Sequence, residues 1–502
     1  MSGYANGNLN VMQYSFLPIC FDELISEDNP VRVISAFVDN LNVKELGFKY
    51  SDPDKEKAGR PPYNPKDMLK LYMYGYFNAI RSSRKLEKEC TRNIELFWLL
   101  NNIRPKKTAI SDFRKDNINC MKGVFKAFSL LCDSLGLLGK EMCAIDGSKF
   151  RASNAKKKSY TKGKLEKQIK YYEESVENYL KILEAEDTED TKNEGNEKTK
   201  KIDKAEVQKK ITEIKKRIEE LTEIKEDVEK NGEKSLTDPD SKYMKMNNNG
   251  RDICHNTQIS VDSKAHLVID ADVTSSPTDQ NQLYNMSSRA KETLNVETLK
   301  ILCDKGYYNG AELKKCEENN IMAIVSVPKE KGKKGYQKTD FKYNEEKDVF
   351  VCPQGNELYR KGKKKIEYSN SKACNKCPNK ANCTQSKSGR KITISEYDEY
   401  FQIAKQRLED NMDLYKERQK IVEHVFGTVK RAFGFTYFLL RGNQKVKGET
   451  FMHFLTYNLK RVCNLKNINE ILEAIIWENR KISKIMSKYF SVFPYYVNTI
   501  IY

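Results

Sequence analysis

Apolar positions along the chain change their spacing several times, and each change predicts a different kind of element. From Met68 to Leu100 they recur at helical intervals, with Leu69, Tyr72, Met73, Tyr76 and Phe77 in one run that follows Pro61, Pro62 and Pro65. After a break at 101–105 the pattern predicts another capped helix over 108–115. At 142–150 the texture becomes a short apolar run carrying one acid, the mark of a buried strand. Two heptad seams follow. Leu165, Ile169, Tyr172, Val176, Tyr179 and Leu183 form the first, and Val207, Ile211, Ile214, Ile218 and Leu221, with Val228 one heptad on, form the second. Their alternating steps of four and three, with charged flanks, predict paired helices. The polar stretch 184–201 between them predicts a helical hairpin. Strands are then predicted over 252–262, 266–273, 299–304 and 321–327, with helices over 279–294 and from about 309. A long helix over about 411–432 closes this unit, and 451–502 reads as helical.

Three consecutive strands followed by alternating helices and strands predict an α/β fold with a mixed sheet. The implied layout is a helical N-terminal domain over 1–140, an α/β unit over 141–440 and a C-terminal helical region over 441–502. The α/β unit is interrupted by the hairpin at 155–235 and by a Cys- and Lys-rich insertion at 345–390. The hairpin reads as a protruding arm or as a dimerisation or DNA-clamping device.

Charge changes the picture next. In 502 residues, 89 Lys and Arg face 71 Asp and Glu, a formal net charge of +18 that calls for a polyanionic partner. Arg81, Arg84, Lys85 and Lys88 flank the short N-terminal helices, a pattern suited to a helix-turn-helix-like grip on DNA or to the solvated face of a plain bundle. With 38% hydrophobic residues the chain is no disordered basic tail. The late uncharged stretch 489–502 has 14 residues, against the roughly 20 that a membrane-spanning helix needs. No Lys or Arg precedes Arg32, so a signal peptide is not expected. The 13 cysteines are odd in number and mostly scattered singly, which predicts a reduced, cytoplasmic setting.

Phosphodiester chemistry commonly uses two divalent ions held by converging carboxylates. Asp146 ends one apolar strand and precedes Gly147, and Asp304 ends another and precedes Lys305-Gly306-Tyr307. Glu423 lies in the last long helix of the unit. Lys430 is seven residues further on, about 20° away on an α-helix. Strand-end acids also cap turns, and Asp252, Asp262, Asp270 and Asp272 sit near strands too.

Several motifs taken together resemble the DDE transposases of bacterial insertion sequences, in the group with a Tyr-Arg-Glu-Lys signature around the last acid. They are Ala144-Ile-Asp-Gly-Ser-Lys-Phe150, Asn256-Thr-Gln-Ile-Ser-Val-Asp262 and Cys303-Asp-Lys-Gly-Tyr-Tyr308. Tyr415-Lys-Glu-Arg418 leading to Ile421-Val-Glu-His-Val-Phe-Gly-Thr-Val-Lys430, and Phe454–Arg461, complete the set. The resemblance implies an RNase H-like catalytic core holding two Mg2+ ions, for which Mn2+ can substitute, through Asp146, Asp304 and Glu423. It implies that Tyr415, Arg418 and Lys430 hold phosphates of the element end. The expected partners are double-stranded DNA, as terminal inverted repeats and as target, and a second copy of the chain on that DNA. The activity implied is cleavage at the element ends and transfer of the freed 3′-hydroxyls. A silent DNA-binding relative, or a nuclease that never joins strands, is the alternative. One departure stands out: four residues separate Arg418 from Glu423, where the group has three, which weakens the assignment of Arg418 relative to Lys430.

Cys352, the pair Cys374 and Cys377, and Cys383 supply four thiols, the number for a closed tetrahedral zinc site. The segment is Lys-rich and poor in apolar residues, so a structural Zn2+ would explain how it orders; four unrelated reduced thiols are the other reading. A similar Cys cluster recurs in one branch of the resembling transposases.

Overall fold

The computed structural model describes residues 20–52, 61–190, 204–246, 250–328, 336, 338–361 and 366–477. The part of the expected C-terminal helical region beyond 477 lies outside them.

Six helices open the chain: α1 (Pro30–Asp39), α2 (Pro65–Phe77), α3 (Ser83–Glu89), α4 (Ile94–Leu99), α5 (Lys107–Asn117) and α6 (Met121–Ser134). The run from Met68 to Leu100 is thus three helices rather than one. Asn78 caps the end of α2, Ala79 turns left-handed at φ 57°, and Asn93 starts α4 by accepting the Glu95 amide.

Strand β1 (Met142–Arg151) follows, then β2 (Ser159–Thr161), α7 (Lys162–Asp190), α8 (Lys204–Asn231) and β3 (Glu233–Ser235). β2 and β3 pair at the base of the two long helices. The heptad residues Leu165, Leu221 and Val228 pack near that base, and Val176, Val207 and Ile211 pack further out.

The chain continues through β4 (Lys242–Lys245), β5 (Arg251–Asp262), β6 (Val268–Thr274), α9 (Leu283–Leu294), β7 (Leu299–Cys303), α10 (Gly310–Glu318) and β8 (Ile321–Val325). The main sheet is mixed. β5 runs antiparallel to β1, β4 and β6, whereas β1, β7 and β8 run parallel to one another. β4 and β6 share the edge of β5 that faces away from β1, and the order continues β5-β1-β7-β8.

Both faces of this sheet are covered, which is why β7 and β8 read as nearly unbroken apolar runs. Alternate residues sort to the two sides. Ala144, Phe150 and Leu302 join the large core with the N-terminal helices, while Cys143, Ile145, Ile301 and Cys303 pack with α9 and α10 on the other face.

The segment after β8 is a second, five-stranded antiparallel sheet of β9 (Lys342–Asn344), β10 (Val349–Val351), β11 (Glu357–Lys361), β12 (Ile366–Ser369) and β13 (Lys391–Ile394). Two short helices, α11 (Ser371–Lys376) and α12 (Lys380–Cys383), lie between β12 and β13. The chain then returns through α13 (Asp398–Asp410) and α14 (Met412–Gly427). α15 (Asn443–Leu465) crosses the large core, and 468–477 is again helical. Among the described residues no helix is long and apolar enough to cross a membrane.

Candidate active site

β1 and β7 lie side by side, with Met142 opposite Lys300, Cys143 opposite Ile301 and Ala144 opposite Leu302. Their ladder stops there, and two residues beyond on each chain stand Asp146 and Asp304. Two residues are one pleat period, so both acids belong to the face of Ala144 and Leu302. That face is covered by Ile421, Val422 and Val425 of α14. The crevice at the carboxyl ends of adjacent parallel strands is a recurrent ligand site in α/β sheets.

Each acid is tied to a following glycine. Gly147 donates its amide to Asp146 Oδ1 at 2.9 Å, and Gly306 donates to Asp304 Oδ1 at 2.7 Å. Burial pushes the Asp146 carboxyl up to about 6; Arg418 and the Gly147 amide oppose the shift, and Asp304 and Asp279 add to it by repulsion.

Arg418 and Glu423 are five residues apart, about 140° around an α-helix. The long arginine side chain closes that gap: its Nη2 stands 4.0 Å from Glu423 Oε1, with only 11% of the side chain exposed. The extra residue in the signature therefore does not remove Arg418 from the acids. Glu423 itself is exposed. Among the described residues no three His, Cys, Asp or Glu side chains are gathered closely enough to hold a metal ion. Asp146 does not end its strand as expected, since β1 runs on to Arg151 beside β5. It stands just past the end of the ladder with β7, next to Asp304, which directly follows β7, and Glu423 is linked toward them through Arg418.

Lys430 follows a different course. A π-turn over Thr428–Ala432 begins before it, so the 20° offset expected of a regular α-helix does not apply. Its ammonium turns onto β1, donating to Ser148 Oγ and to the Lys149 carbonyl, both at 2.7 Å, and sits 4.3 Å from the Phe150 ring centre. Burial pulls its pKa down to about 8. Tyr415 is half-buried against the large core. His424, beside Glu423, has Nε2 2.8 Å from the Tyr457 hydroxyl on α15 and Nδ1 2.9 Å from the Lys420 carbonyl.

Asp279 was not anticipated. It lies in the loop between β6 and α9, and its Oδ1 accepts from Asn256 Nδ2 and Gln258 Nε2, both at 2.7 Å. Lys149 Nζ approaches the same oxygen at 3.4 Å. A Cβ at Gly147 would lie 2.3 Å from Gln258 Nε2 and 2.7 Å from Asp279 Oδ1, so only glycine leaves this network its room. Tyr307 donates its hydroxyl to the Gln258 carbonyl oxygen, which ties the network to the turn that carries Asp304. The available signal was in β5, where Asn256 and Gln258 are polar in a fully buried run and so demand partners.

Cys352, Cys374, Cys377 and Cys383 come together at the small sheet, where they line one cavity of about 30 Å³.

This architecture, with paired acids just past the ladder of two parallel strands and a helix bearing a third, accompanies two family matches. Residues 351–463 match the family described as Transposase DDE domain, and residues 19–116 match the Transposase domain (DUF772) family. Together the two matches support a DDE transposase of the insertion-sequence kind. A comparison with curated proteins gave no match. Among solved structures, a piggyBac transposase synaptic complex with hairpin DNA is similar at TM-score 0.30 and 10% identity. That similarity covers 90% of this chain and 80% of the other, and it is too distant to carry an argument.

Proposed function

We propose that the chain binds the terminal inverted repeats of its element, cleaves DNA there and transfers the freed 3′-hydroxyls to target DNA. The observation that carries this reading is the register of β1 and β7, which brings Asp146 and Asp304 to one crevice under α14. With β5 and β6 antiparallel beyond β1 and β8 parallel beyond β7, we read the sheet as an RNase H-like core.

A divalent cation suits the chemistry of the paired acids Asp146 and Asp304, with Glu423 not gathered beside them. Repulsion from Asp304 and Asp279 adds to burial in holding Asp146 above its ordinary value, and a hard cation relieves both the repulsion and the desolvation. Asp146, Asp304 and Glu423 are the ligands we assign, with two Mg2+ or Mn2+ ions supplying charge stabilisation and activation of the attacking oxygen. Arg418 is the cation we assign to a phosphate at the cleavage site, since its guanidinium already lies among the acids. Tyr415 stands three residues before it on α14 and is assigned to the same strand of DNA. Lys430 reaches a phosphate only by releasing Ser148 and Lys149, so its role is to brace α14 against β1. Cutting two element ends together calls for a homodimer on DNA, and the +18 charge for binding that weakens steeply with salt.

The test incubates the purified chain and DNA flanking its gene with Mg2+ or Mn2+, beside a Glu423→Gln variant. Cleavage at the element ends with joined products, by the wild type alone, is the expected result. End cleavage without joining would make the chain a nuclease, and binding without cleavage by either protein would leave only a DNA binder.

A further inference from the structure

Beyond the acids, the described residues hold a second cluster of metal-type ligands. It stands in a module whose own core is small, with Phe341, Phe350, Leu358, Tyr368 and Ile392 as its buried apolar side chains. A five-stranded sheet of three- to five-residue strands on so few apolar anchors needs another source of order.

The four thiols come from three separate pieces of chain. Cys352 follows β10 in a tight turn: Gly355 donates its amide to the Cys352 carbonyl at 2.8 Å and has φ +77°. The next amide, Asn356, points at the sulfur itself, 3.3 Å from Cys352 Sγ. Backbone amides directed at sulfur are the outer partners that orient a cysteine toward a metal ion. Cys374 lies in α11 and Cys377 caps its end, so the two face one place across a single turn. Cys383 closes α12. Asn370, the cap of α11, donates to the Glu357 carbonyl at 2.8 Å, which fixes this helix against the sheet. Gly389 approaches Cys374 so closely that a Cβ there would lie 3.0 Å from the sulfur.

Charge points the same way. Arg390 lines the cavity, its guanidinium stands 5.6 Å from the Phe341 ring centre, and its buried Nε has no hydrogen-bond partner. A fixed cation beside four thiols is out of place if they are neutral, and suits them if they are anions around an ion. The thiols are unpaired by disulfides. As placed, no three of them close to ligand distance, yet all four line the same cavity of about 30 Å³.

We propose that Cys352, Cys374, Cys377 and Cys383 bind one structural Zn2+ that orders the module between β8 and α13. Four thiolates complete a tetrahedral shell, so the site is closed to water and takes no part in DNA chemistry. The module also touches the element that leads to α14: Lys338 donates to Asp398, in the first turn of α13, and to the Thr393 carbonyl at 2.9 Å.

The experiment measures metal content of the full-length chain, purified without added metal, by elemental analysis. About one zinc per chain is expected, released by a thiol-blocking mercurial. Cys374→Ser and Cys377→Ser variants should lose it, while Cys463→Ser should retain it. Because a cysteine variant can fail to fold, the wild-type chain is also loaded with Co2+, whose thiolate charge-transfer bands report tetrahedral sulfur ligation. Trypsin should cut within 338–391 after zinc removal and not before. A folded wild type free of metal, iron in place of zinc, a Cys374–Cys377 disulfide in the purified protein, or a cobalt spectrum without thiolate bands would each overturn the proposal.

Discussion

Asp279 shows how a side chain can act on a site without facing it. Gly147 lies one residue beyond Asp146 on β1, so it shows the sheet's opposite face, and Asp279 is held there by Asn256, Gln258 and Lys149. Its charge reaches Asp146 through the strand, and Gln258 extends the network to Tyr307. We assign it as a positioning residue. Asp279→Asn keeps the shape but turns an acceptor toward two amide donors into a mixed group. The expected result is a rise of about 10–100-fold in the divalent-ion concentration needed for cleavage, the range for outer-shell partners of metal ligands. Mg2+ titrations of cleavage beside near-ultraviolet circular dichroism check this, and unchanged metal dependence with intact fold would remove Asp279 from the site. The acids Asp146 and Asp304 were legible because an apolar run interrupted by Asp with a Gly close behind is a local signal, although β1 itself runs on past Asp146 to Arg151. Asp279 lacks one, since it follows Ser275-Ser-Pro-Thr278, where polarity marks only a loop.

At the scale of elements, the join between N-terminal helices and α/β unit rests on a charge buried in α15. Glu449 is fully buried and accepts the amides of Leu439 and Leu440, with Oε2 2.9 Å from the first and 3.0 Å from the second. Arg81, between α2 and α3, reaches it at 3.4 Å and donates to the Tyr437 carbonyl at 2.8 Å. Burial works against this carboxylate, but His453, with Nε2 3.7 Å from Oε1, and the two backbone amides outweigh it and hold the pKa below the usual glutamate value. Glu449→Gln leaves Arg81 buried without its counter-charge, so a loss of about 3–5 kcal/mol is expected. Urea unfolding of the two proteins measures it, and a loss within about 0.5 kcal/mol would mean that the pair does not hold the join. None of this was visible in spacing, because Arg81 read as one of several surface cations and Glu449 stands in the second turn of α15, just after the mostly polar run Asn443–Lys447. The small sheet escaped notice for a related reason. Val349-Phe-Val351 is too short for a periodic signal, and its neighbours alternate poorly. The heptads of α7 and α8, by contrast, are long and local, and their seam residues are the ones that pack.

Over the whole molecule, one continuous core gathers the N-terminal helices, one face of the mixed sheet, α14 and α15. Phe150 of β1 meets Phe426 of α14, Phe438 and His453, contacts between residues hundreds of positions apart that no local pattern announces. Three histidines are packed into this arrangement. His453 stacks on Phe435 and Phe438, and burial, aided by Arg81, lowers its pKa from 6.5 despite Glu449. His266 and His424 have ring centres 5.1 Å apart, and burial first, then the charge of Arg461, depresses both. A histidine depressed on folding is neutral in both states above pH 6.5, so its full contribution to stability is present there. As the pH falls below that value the unfolded chain takes up the proton first, and stability is lost until the lower folded value is passed. These three histidines together favour unfolding at pH 5.5 over pH 7.5, while Asp146, pushed up to about 6, takes up its proton in the folded chain first and offsets part of that loss; ordinary carboxylates stay ionised over this window. His453→Phe keeps an aromatic ring between Phe435 and Phe438 and cannot titrate. Its melting temperature should change less between these pH values than that of the wild type, with His266 and His424 carrying the remainder. Equal pH dependence in the two proteins, measured at one ionic strength, would mean that His453 is protonated with equal ease in the folded and unfolded chain.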